Sequence, residues 1–509
     1  MSILGWFSFA ACLGASVVAG ARWLRVLQRE HYLAGSTTTF ALRWWRVSPL
    51  HVTRGVVGLL TAFGALAAPV LALPAALVAA TDPRGLSVRG RTSKLAWTRR
   101  LRTVALLTAL LEAAIVALGI LAGRAAAAAA LCAMALPLLV DAAAWLLMPL
   151  ERRLGERYVV EAAARLSSVA PRVVGITGSY GKTSTKNHLT ALIGTDRAVV
   201  PSPRSFNNRA GLARAINEHL APGTDVFIAE MGTYGPGEIA DLVAWCPPEI
   251  AVMTAIGPVH LERFGSLEVT VAAKAEIVLP ATTVVINIDD PLLRGLAGSL
   301  TAVTVVRASA EDATADVAVV ATKGRWSIWV AGAELANLEA PRGVQPTNVA
   351  CALGAALALG IDAPTAARRI GALIAVENRQ SVIQAPSGLS VIDDTFNANP
   401  AGAAAALDLL ASLAPDGARA VVTPGMIELG DEQAPANRAF AERAAAVADH
   451  LVIVGRTNAP ALLDGAAAAS SSVEILEVPD RAAAVDWVRA HLGGRDAVLY
   501  ENDLPDHYP

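Results

Sequence analysis

Lys182 and Thr183 close a glycine-rich stretch, Gly175-Ile-Thr-Gly-Ser-Tyr-Gly-Lys-Thr-Ser184, that follows a short β-like run, Pro171 to Ile176, and opens a helix-like segment. Glycines let backbone N–H groups close around oxyanions, and a helix start adds partial positive charge, so the stretch reads as a phosphate-binding loop. In such a loop Lys182 reaches the β- and γ-phosphates and Thr183 ligates Mg2+; the strict pattern asks for Gly at 176, where this chain has Ile. The apolar run Asp225 to Glu230 ends in a carboxylate, a position where acids hold Mg2+ at the carboxyl edge of a sheet. His260 lies in a loop after another apolar run, Ile250 to Ala255. These residues point to nucleotide-driven chemistry and leave a kinase, an ATPase and a ligase open.

The elements that must position them are those of an α/β enzyme. From Val173 onward, short apolar runs alternate with helix-like segments, and residues 301–340 change to short β-like pieces with Gly and Asp turns. A break at Gly371 to Arg379 precedes a second alternating unit of about 130 residues, sized for one domain. The periodicity predicts two facing parallel sheets with ligand crevices at their carboxyl ends. Residues 151–169 read as an amphipathic linker helix.

Residues 1–150 differ in kind. Ile3 to Ala19, Val56 to Ala80, Val104 to Gly123 and Ala125 to Leu150 are apolar runs of about membrane length. The second is interrupted by Pro69 and Pro74, and Glu112 and Asp141 inside the last two should face other helices. Two arginine-rich loops, 22–54 and 84–100, both ask for the cytoplasm. A hairpin bent at Pro69 and Pro74 reconciles them and keeps the nucleotide-using part inside. Trp44, Trp45 and Trp97 read as interface anchors. The net charge of -2 gives no reason to expect a nucleic-acid partner, and four scattered cysteines (Cys12, Cys132, Cys246, Cys351) argue against a disulfide framework or a zinc site.

The wider constellation resembles the Mur ligases, the ATP-dependent amide-forming enzymes of peptidoglycan precursor synthesis, and within them the MurF branch, which adds D-Ala-D-Ala. The resemblance covers about residues 170–509 and rests on separated motifs in the expected order. These are Thr177-Gly-Ser-Tyr-Gly-Lys-Thr183, Asn207-Asn208 with Gly211, Ala229-Glu-Met-Gly232, Gly257-Pro-Val-His-Leu-Glu-Arg-Phe-Gly-Ser266, Asp393-Asp-Thr-Phe-Asn-Ala-Asn-Pro400 and Gly425-Met-Ile-Glu-Leu-Gly430. It implies a P-loop central domain (170–375) and a Rossmann-like C-terminal domain (376–509) after a helical transmembrane region (1–150).

The resemblance also implies an ATP site made of Gly178, Ser179, Gly181, Lys182, Thr183, Ser184, Asn287, Asn348, Arg379 and Asp394. It implies Mg2+ on Thr183, Glu230, His260 and a carbamylated Lys274. Asn207, Asn208, Asn397, Asn399 and Glu428 would line the substrate side. Lys182, Lys274, His260 and Arg379 would carry the catalysis, in which a carboxylate is phosphorylated by ATP and the acyl phosphate is captured by an amine. The expected partners are a carboxylate-bearing envelope precursor, an amino acid or dipeptide, and membrane lipid, with the ligase domains on the cytoplasmic side of a multi-pass plasma-membrane protein.

The sequence departs from the family in two places. A membrane-like region stands where the family has a soluble domain for the UDP end of its substrate, and Thr233-Tyr234 replaces the usual Ala-Asn or Ala-Ser. Both leave the donor open between a UDP-linked and a lipid-linked or non-peptidoglycan species. A nucleotide-binding membrane scaffold without catalysis is the reading from another class.

Overall fold

The computed structural model describes residues 2–88, 94–374, 381–395, 398–414, 416–469, 472–505 and 507–508. The chain forms two compact units. One comprises Met1–Leu154 with Gly455–Thr457 and Leu504–Pro509, and the other Gly155–Val454 with Asn458–Asp503.

The first unit is helical. Ile3–Arg29 and Arg99–Leu121 are long and apolar enough to cross a membrane; Ala125–Met134 and Leu136–Val169 could form a third span, bent by 74°. Its interior is built on small residues, among them Cys12, Ala15, Ala72, Ala75, Ala127 and Ala130, which let helix backbones approach closely. The run Val56 to Ala80 is not one span. It forms the helices Pro49–Gly64 and Ala72–Thr81, packed on each other. The break falls at residues 65–68, ahead of Pro69, whereas Pro74 sits in a first helical turn, where its missing N–H costs nothing. The expected linker, 151–169, continues the helix Leu136–Val169 without a break.

Asp141 does face another helix. It accepts from Thr37 N (3.2 Å), Thr38 N (2.8 Å) and Thr38 Oγ1 (2.6 Å), at the positive end of Ser36–Arg46. Trp44, read as an interface anchor, is instead buried, its indole N–H donating to His507 O at 2.8 Å. His507 Nε2 meets Glu30 Oε1 at 2.9 Å, and its ring packs 4.7 Å from that of Phe40.

The second unit holds two sheets. The first has nine strands, β1 (Arg172–Thr177), β2 (Val199–Pro201), β3 (Val226–Glu230), β4 (Ile250–Met253), β5 (Thr283–Asn287), β6 (Thr304–Ser309), β7 (Val317–Thr322), β8 (Arg325–Val330) and β9 (Ala333–Glu339), in the order β2-β3-β1-β4-β5-β6-β7-β8-β9. β1 to β7 pair in parallel, and β7, β8 and β9 close the edge as an antiparallel meander. Helices cover both faces of the parallel part, so β3 and β4 are buried at every residue and, apart from the terminal Glu230, read as apolar runs. Lys182–Ile193 and Pro346–Ala358 pack on one face and Arg209–His219 and Glu238–Val243 on the other.

The second sheet contains β10 (Ser381–Gln384), β11 (Ser390–Asp394), β12 (Arg419–Thr423), β13 (His450–Val454), β14 (Glu474–Val478) and β15 (Ala497–Glu501), in the order β10-β11-β15-β12-β13-β14. It is parallel except for β10, which pairs antiparallel with β11.

Candidate active site

β1 lies between β3 and β4, and its carboxyl end opens directly into the loop 178–181. Gly178 and Gly181 have φ of +150° and +79°. A Cβ at Gly178 would stand 2.0 Å from Thr254 Oγ1, and one at Gly181 2.2 Å from Asn348 Oδ1, so only glycine fits at either position. Ser179 N donates to Ala255 O (2.7 Å), and Gly257 N to Ser179 Oγ (3.1 Å), which ties the loop to the segment after β4. Lys182 Nζ lies over the loop, donating to Gly178 O (2.6 Å) and Ser179 O (3.3 Å), while Thr183 and Ser184 are buried in the first turn of the helix behind it. This is a helix N-terminus behind a glycine loop, with a lysine folded onto the loop's carbonyl oxygens, a geometry that can receive a polyphosphate.

Glu230 ends β3 beside this helix and is almost fully buried. Thr183 Oγ1 donates to Glu230 Oε2 at 3.0 Å, and Lys186 Nζ to the same oxygen at 3.1 Å; Asn207 Nδ2 stands 3.4 Å from Oε1. Burial alone would raise this carboxyl, but the Lys186 and Lys182 charges and the hydrogen bonds from Lys186 and Thr183 hold it below the ordinary carboxylate range. Lys274, on the helix Leu267–Ala275, is also buried. Burial, with the Lys182 charge beside it, pushes its ammonium down to about 7, so a neutral amine is available near physiological pH.

His260 has a left-handed backbone (φ +58°) ahead of the short helix Leu261–Phe264. Its Nδ1 contacts Glu428 Oε2 from the loop after β12, so the structure brings these two together across the two sheets' loops. Tyr234 packs edge-on against the His260 ring at 4.7 Å, with the Arg263 guanidinium 4.7 Å over Tyr234. The Thr233-Tyr234 departure therefore lands on the wall next to His260.

Other predicted residues have local tasks in this structure. Asn287 Nδ2 donates to Thr254 O (2.8 Å) and its Oδ1 accepts from Asp289 N (3.0 Å). Asn208 and Asn399 cap the helices Arg209–His219 and Pro400–Ser412, accepting from Gly211 N (2.9 Å) and Gly402 N (2.8 Å). Asp394 is buried at the end of β11. Arg379 and Asn397 lie outside the described residues. Among the described residues no three His, Cys, Asp or Glu side chains gather as a metal cluster.

Two residues at these edges were missed by sequence reasoning. Lys186 repeats Lys182 one helical turn on, a spacing that could have marked it. Glu501 ends β15 as Glu230 ends β3 and carries the same signal, an acid closing an apolar strand. It is fully buried, its Oε2 accepts from Thr423 Oγ1 (3.0 Å), and it pairs in register with Asp394.

Comparison with known proteins agrees with this geometry. The profile of the Mur ligase middle domain matches residues 176–354, and that of the Mur ligase glutamate ligase domain matches residues 378–500. The chain is 34% identical over 381 residues to the UDP-N-acetylmuramoyl-tripeptide–D-alanyl-D-alanine ligase of Mycobacterium tuberculosis, an overlap of 66% of this chain and 71% of that protein. The enzyme of the same name from Bacillus subtilis is 32% identical over 285 residues, 53% of this chain and 59% of that one. Among solved structures, MurF ligase from Thermotoga maritima in complex with ADP superposes with a TM-score of 0.58 at 25% identity, covering 69% of this chain and 80% of that one. MurF from Acinetobacter baumannii, at 22% identity, shares the fold with a TM-score of 0.59.

Proposed function

The chain belongs to the Mur ligase family of ATP-dependent ligases, and we propose that it joins a carboxylate-bearing cell-envelope precursor to an amino acid or dipeptide through an acyl phosphate. The observation that carries this reading is the placement of Lys182, Thr183 and Glu230 around one glycine loop at the carboxyl edge of β1 and β3. A carboxylate oxygen of the donor attacks the γ-phosphorus of ATP, the P–O bond to ADP breaks, and an acyl phosphate forms. The neutral amine then attacks the acyl carbon; the C–N bond forms, phosphate leaves, and the amine gives up a proton. Lys182 neutralises charge on the transferring phosphoryl group, and Arg379 is assigned the same task. Asn348 and Asp394 are assigned to the nucleotide, and Asn207, Asn397 and Glu428 to the substrates.

A buried carboxylate and hydroxyl at a phosphate loop suit Mg2+, which keeps water and phosphate oxygens as its other ligands. Thr183 and Glu230 would hold one ion, and His260 with a carbamylated Lys274 a second; bound there, Mg2+ supplies Lewis-acid neutralisation of phosphate charge. The lowered Lys274 supports the carbamate, because only the neutral amine adds CO2.

We assign the amine as D-Ala-D-Ala, by the relatives' names, and the four-part division 1–150, 151–169, 170–375 and 376–509, the last Rossmann-like. The donor is open to a second reading. Residues 1–154 carry 16 Lys and Arg against 5 Asp and Glu and include two apolar helices of membrane length, which favours an anionic plasma membrane and a lipid-linked donor over a free UDP-linked one.

The test is ATP turnover by the purified full-length protein with D-Ala-D-Ala and either a UDP-linked or a lipid-linked muramyl peptide, with products read by mass spectrometry. ADP release that requires both amine and carboxylate is expected. ADP release independent of both would refute a ligase. Lys274→Ala should lose turnover and regain part of it with short carboxylic acids; wild-type turnover in that variant would refute the carbamate.

A further inference from the structure

We infer that the Lys186 ammonium is a built-in place-holder for the divalent cation on Glu230, so that the metal enters this site only together with the phosphates of the nucleotide. The inference rests on the assignment of Glu230 as a metal ligand given above. Lys186 lies three residues after Thr183 on the helix Lys182–Ile193, so both side chains face the end of β3. Both donate to the same oxygen, Glu230 Oε2, at 3.1 and 3.0 Å. That oxygen is therefore filled by one cation and one hydroxyl. Glu230 Oε1 has the weaker contact, to Asn207 at 3.4 Å.

The ammonium is held rather than merely near. Lys186 Nζ also donates to Ser202 O at 2.7 Å, and Ser202 Oγ in turn accepts from Glu230 N at 3.1 Å. The Lys186 and Glu230 side chains are 3% and 4% exposed. Swinging the lysine away with nothing in its place would leave a buried carboxylate and a carbonyl unsatisfied, so it stays until another cation reaches the carboxylate. A buried ion pair of this kind adds little net stability over an apolar pair of the same volume, and its position against the proposed metal ligands supplies the reason for it.

Charge decides the order of events. Lys182 and Lys186 both act on the single carboxylate of Glu230, and Lys182 also acts on Lys274. A bare divalent cation would enter beside at least one fixed ammonium in a buried, weakly screened setting, where like charges repel strongly. The triphosphate brings the missing negative charge and removes that penalty. The metal then takes the place of the Lys186 ammonium on Glu230 Oε2 as part of the metal–nucleotide complex, while Lys186 keeps its bond to Ser202 O. Lys186 is thus a positioning residue.

Mn2+ binding to the full-length protein in detergent, followed by electron paramagnetic resonance without and with a non-hydrolysable ATP analogue, tests this. The wild type should take Mn2+ tightly only with the analogue. Lys186→Met and Lys186→Gln should bind Mn2+ at least tenfold more tightly than the wild type in the absence of nucleotide, and the gain from the analogue should shrink by the same factor. Lys186→Gln keeps a donor toward Ser202 and Glu230, so it carries the test if the methionine variant misfolds; unchanged metal-free ADP affinity certifies its fold. Nucleotide-free variants that bind Mn2+ no better than the wild type overturn the place-holder while leaving the metal site standing. A wild type that takes no Mn2+ even with the analogue overturns the Glu230 assignment and the place-holder with it.

Discussion

Glu501 gives the sharpest quantitative handle on the C-terminal sheet. Its carboxyl is fully buried, with one oxygen on the Thr423 hydroxyl, and Oε1 has no hydrogen-bond partner among the described residues. Burial, then the negative charge of Asp394 on the neighbouring strand, push it up to about 8 from an ordinary 4.5, against the opposing hydrogen bond from Thr423. Between those two values the folded protein holds a proton that the unfolded chain has released. Stability therefore falls as pH rises through this window and levels off above the folded value. At about 1.4 kcal/mol per pH unit, the wild type should lose roughly 3 kcal/mol between pH 5 and pH 8 from this group. Glu501→Gln keeps an acceptor for Thr423, presents a donor toward Asp394 and removes this titration, so its profile should fall by roughly 3 kcal/mol less than that of the wild type between pH 5 and pH 8 and should lie above it at pH 8. Hydrogen exchange of the β15 amides, corrected for the intrinsic rate at each pH, reports this sheet apart from the helical unit. Superimposable wild-type and Glu501→Gln profiles would show that the carboxyl is not held protonated, and the reasoning would fail.

Gly178→Ala places a Cβ 2.0 Å from Thr254 Oγ1 at a φ of +150°; the phosphate loop must shift, and ATP-dependent turnover should fall by about 100-fold or more, measured as ADP release. Thr183→Val removes the hydroxyl on Glu230 and should raise the Mg2+ concentration for half-maximal activity by roughly tenfold, along with a stability loss of about 1–2 kcal/mol from the buried hydrogen bond. Asp141→Ala removes three hydrogen bonds at the start of Ser36–Arg46 and should cost about 2–3 kcal/mol, read as earlier thermal unfolding in detergent. Trp44→Phe removes the donor to His507 O and should speed amide hydrogen exchange in the segment around His507, read by mass spectrometry.

What was legible in the sequence was what local chemistry encodes. Gly178, Gly181, Lys182 and Thr183 are neighbours in the chain, and a strand-loop-helix turn of that composition has few other solutions. Glu230 was legible because an acid closing a buried strand can only sit at a sheet edge. The pairing of Lys186 with Glu230 was not, because it depends on β3 lying beside β1, a neighbour relation that no local pattern states. The antiparallel β10 and the seating of His507 on Trp44 are non-local in the same way. The break at 65–68 was displaced from the prolines because proline is disruptive inside a helix and favourable in its first turn, and hydropathy does not separate the two.

The asparagines show how one signal serves two tasks. Asn208 and Asn399 each stand just before a helix, three residues ahead of a glycine, and each has its Oδ1 on that glycine's N–H. A substrate that took this oxygen would uncap the helix at a cost of about 1 kcal/mol. The amide nitrogens are not committed by that bond, so a ligand read by these residues is one that accepts hydrogen bonds, such as a carboxylate or phosphate oxygen. Asn207 differs: its Nδ2 already faces Glu230 Oε1, and its backbone carbonyl accepts from Gly232 N at 2.7 Å. Asn207 thus stands beside Glu230 and the capping asparagines on helix ends, so if Glu230 holds the metal as proposed, Asn207→Ala should disturb Mg2+ dependence, whereas Asn208→Ala should lower stability by about 1 kcal/mol and raise the KM of an anionic substrate without changing the Mg2+ requirement. Equal effects of the two substitutions on Mg2+ dependence would show that the division of labour is wrong.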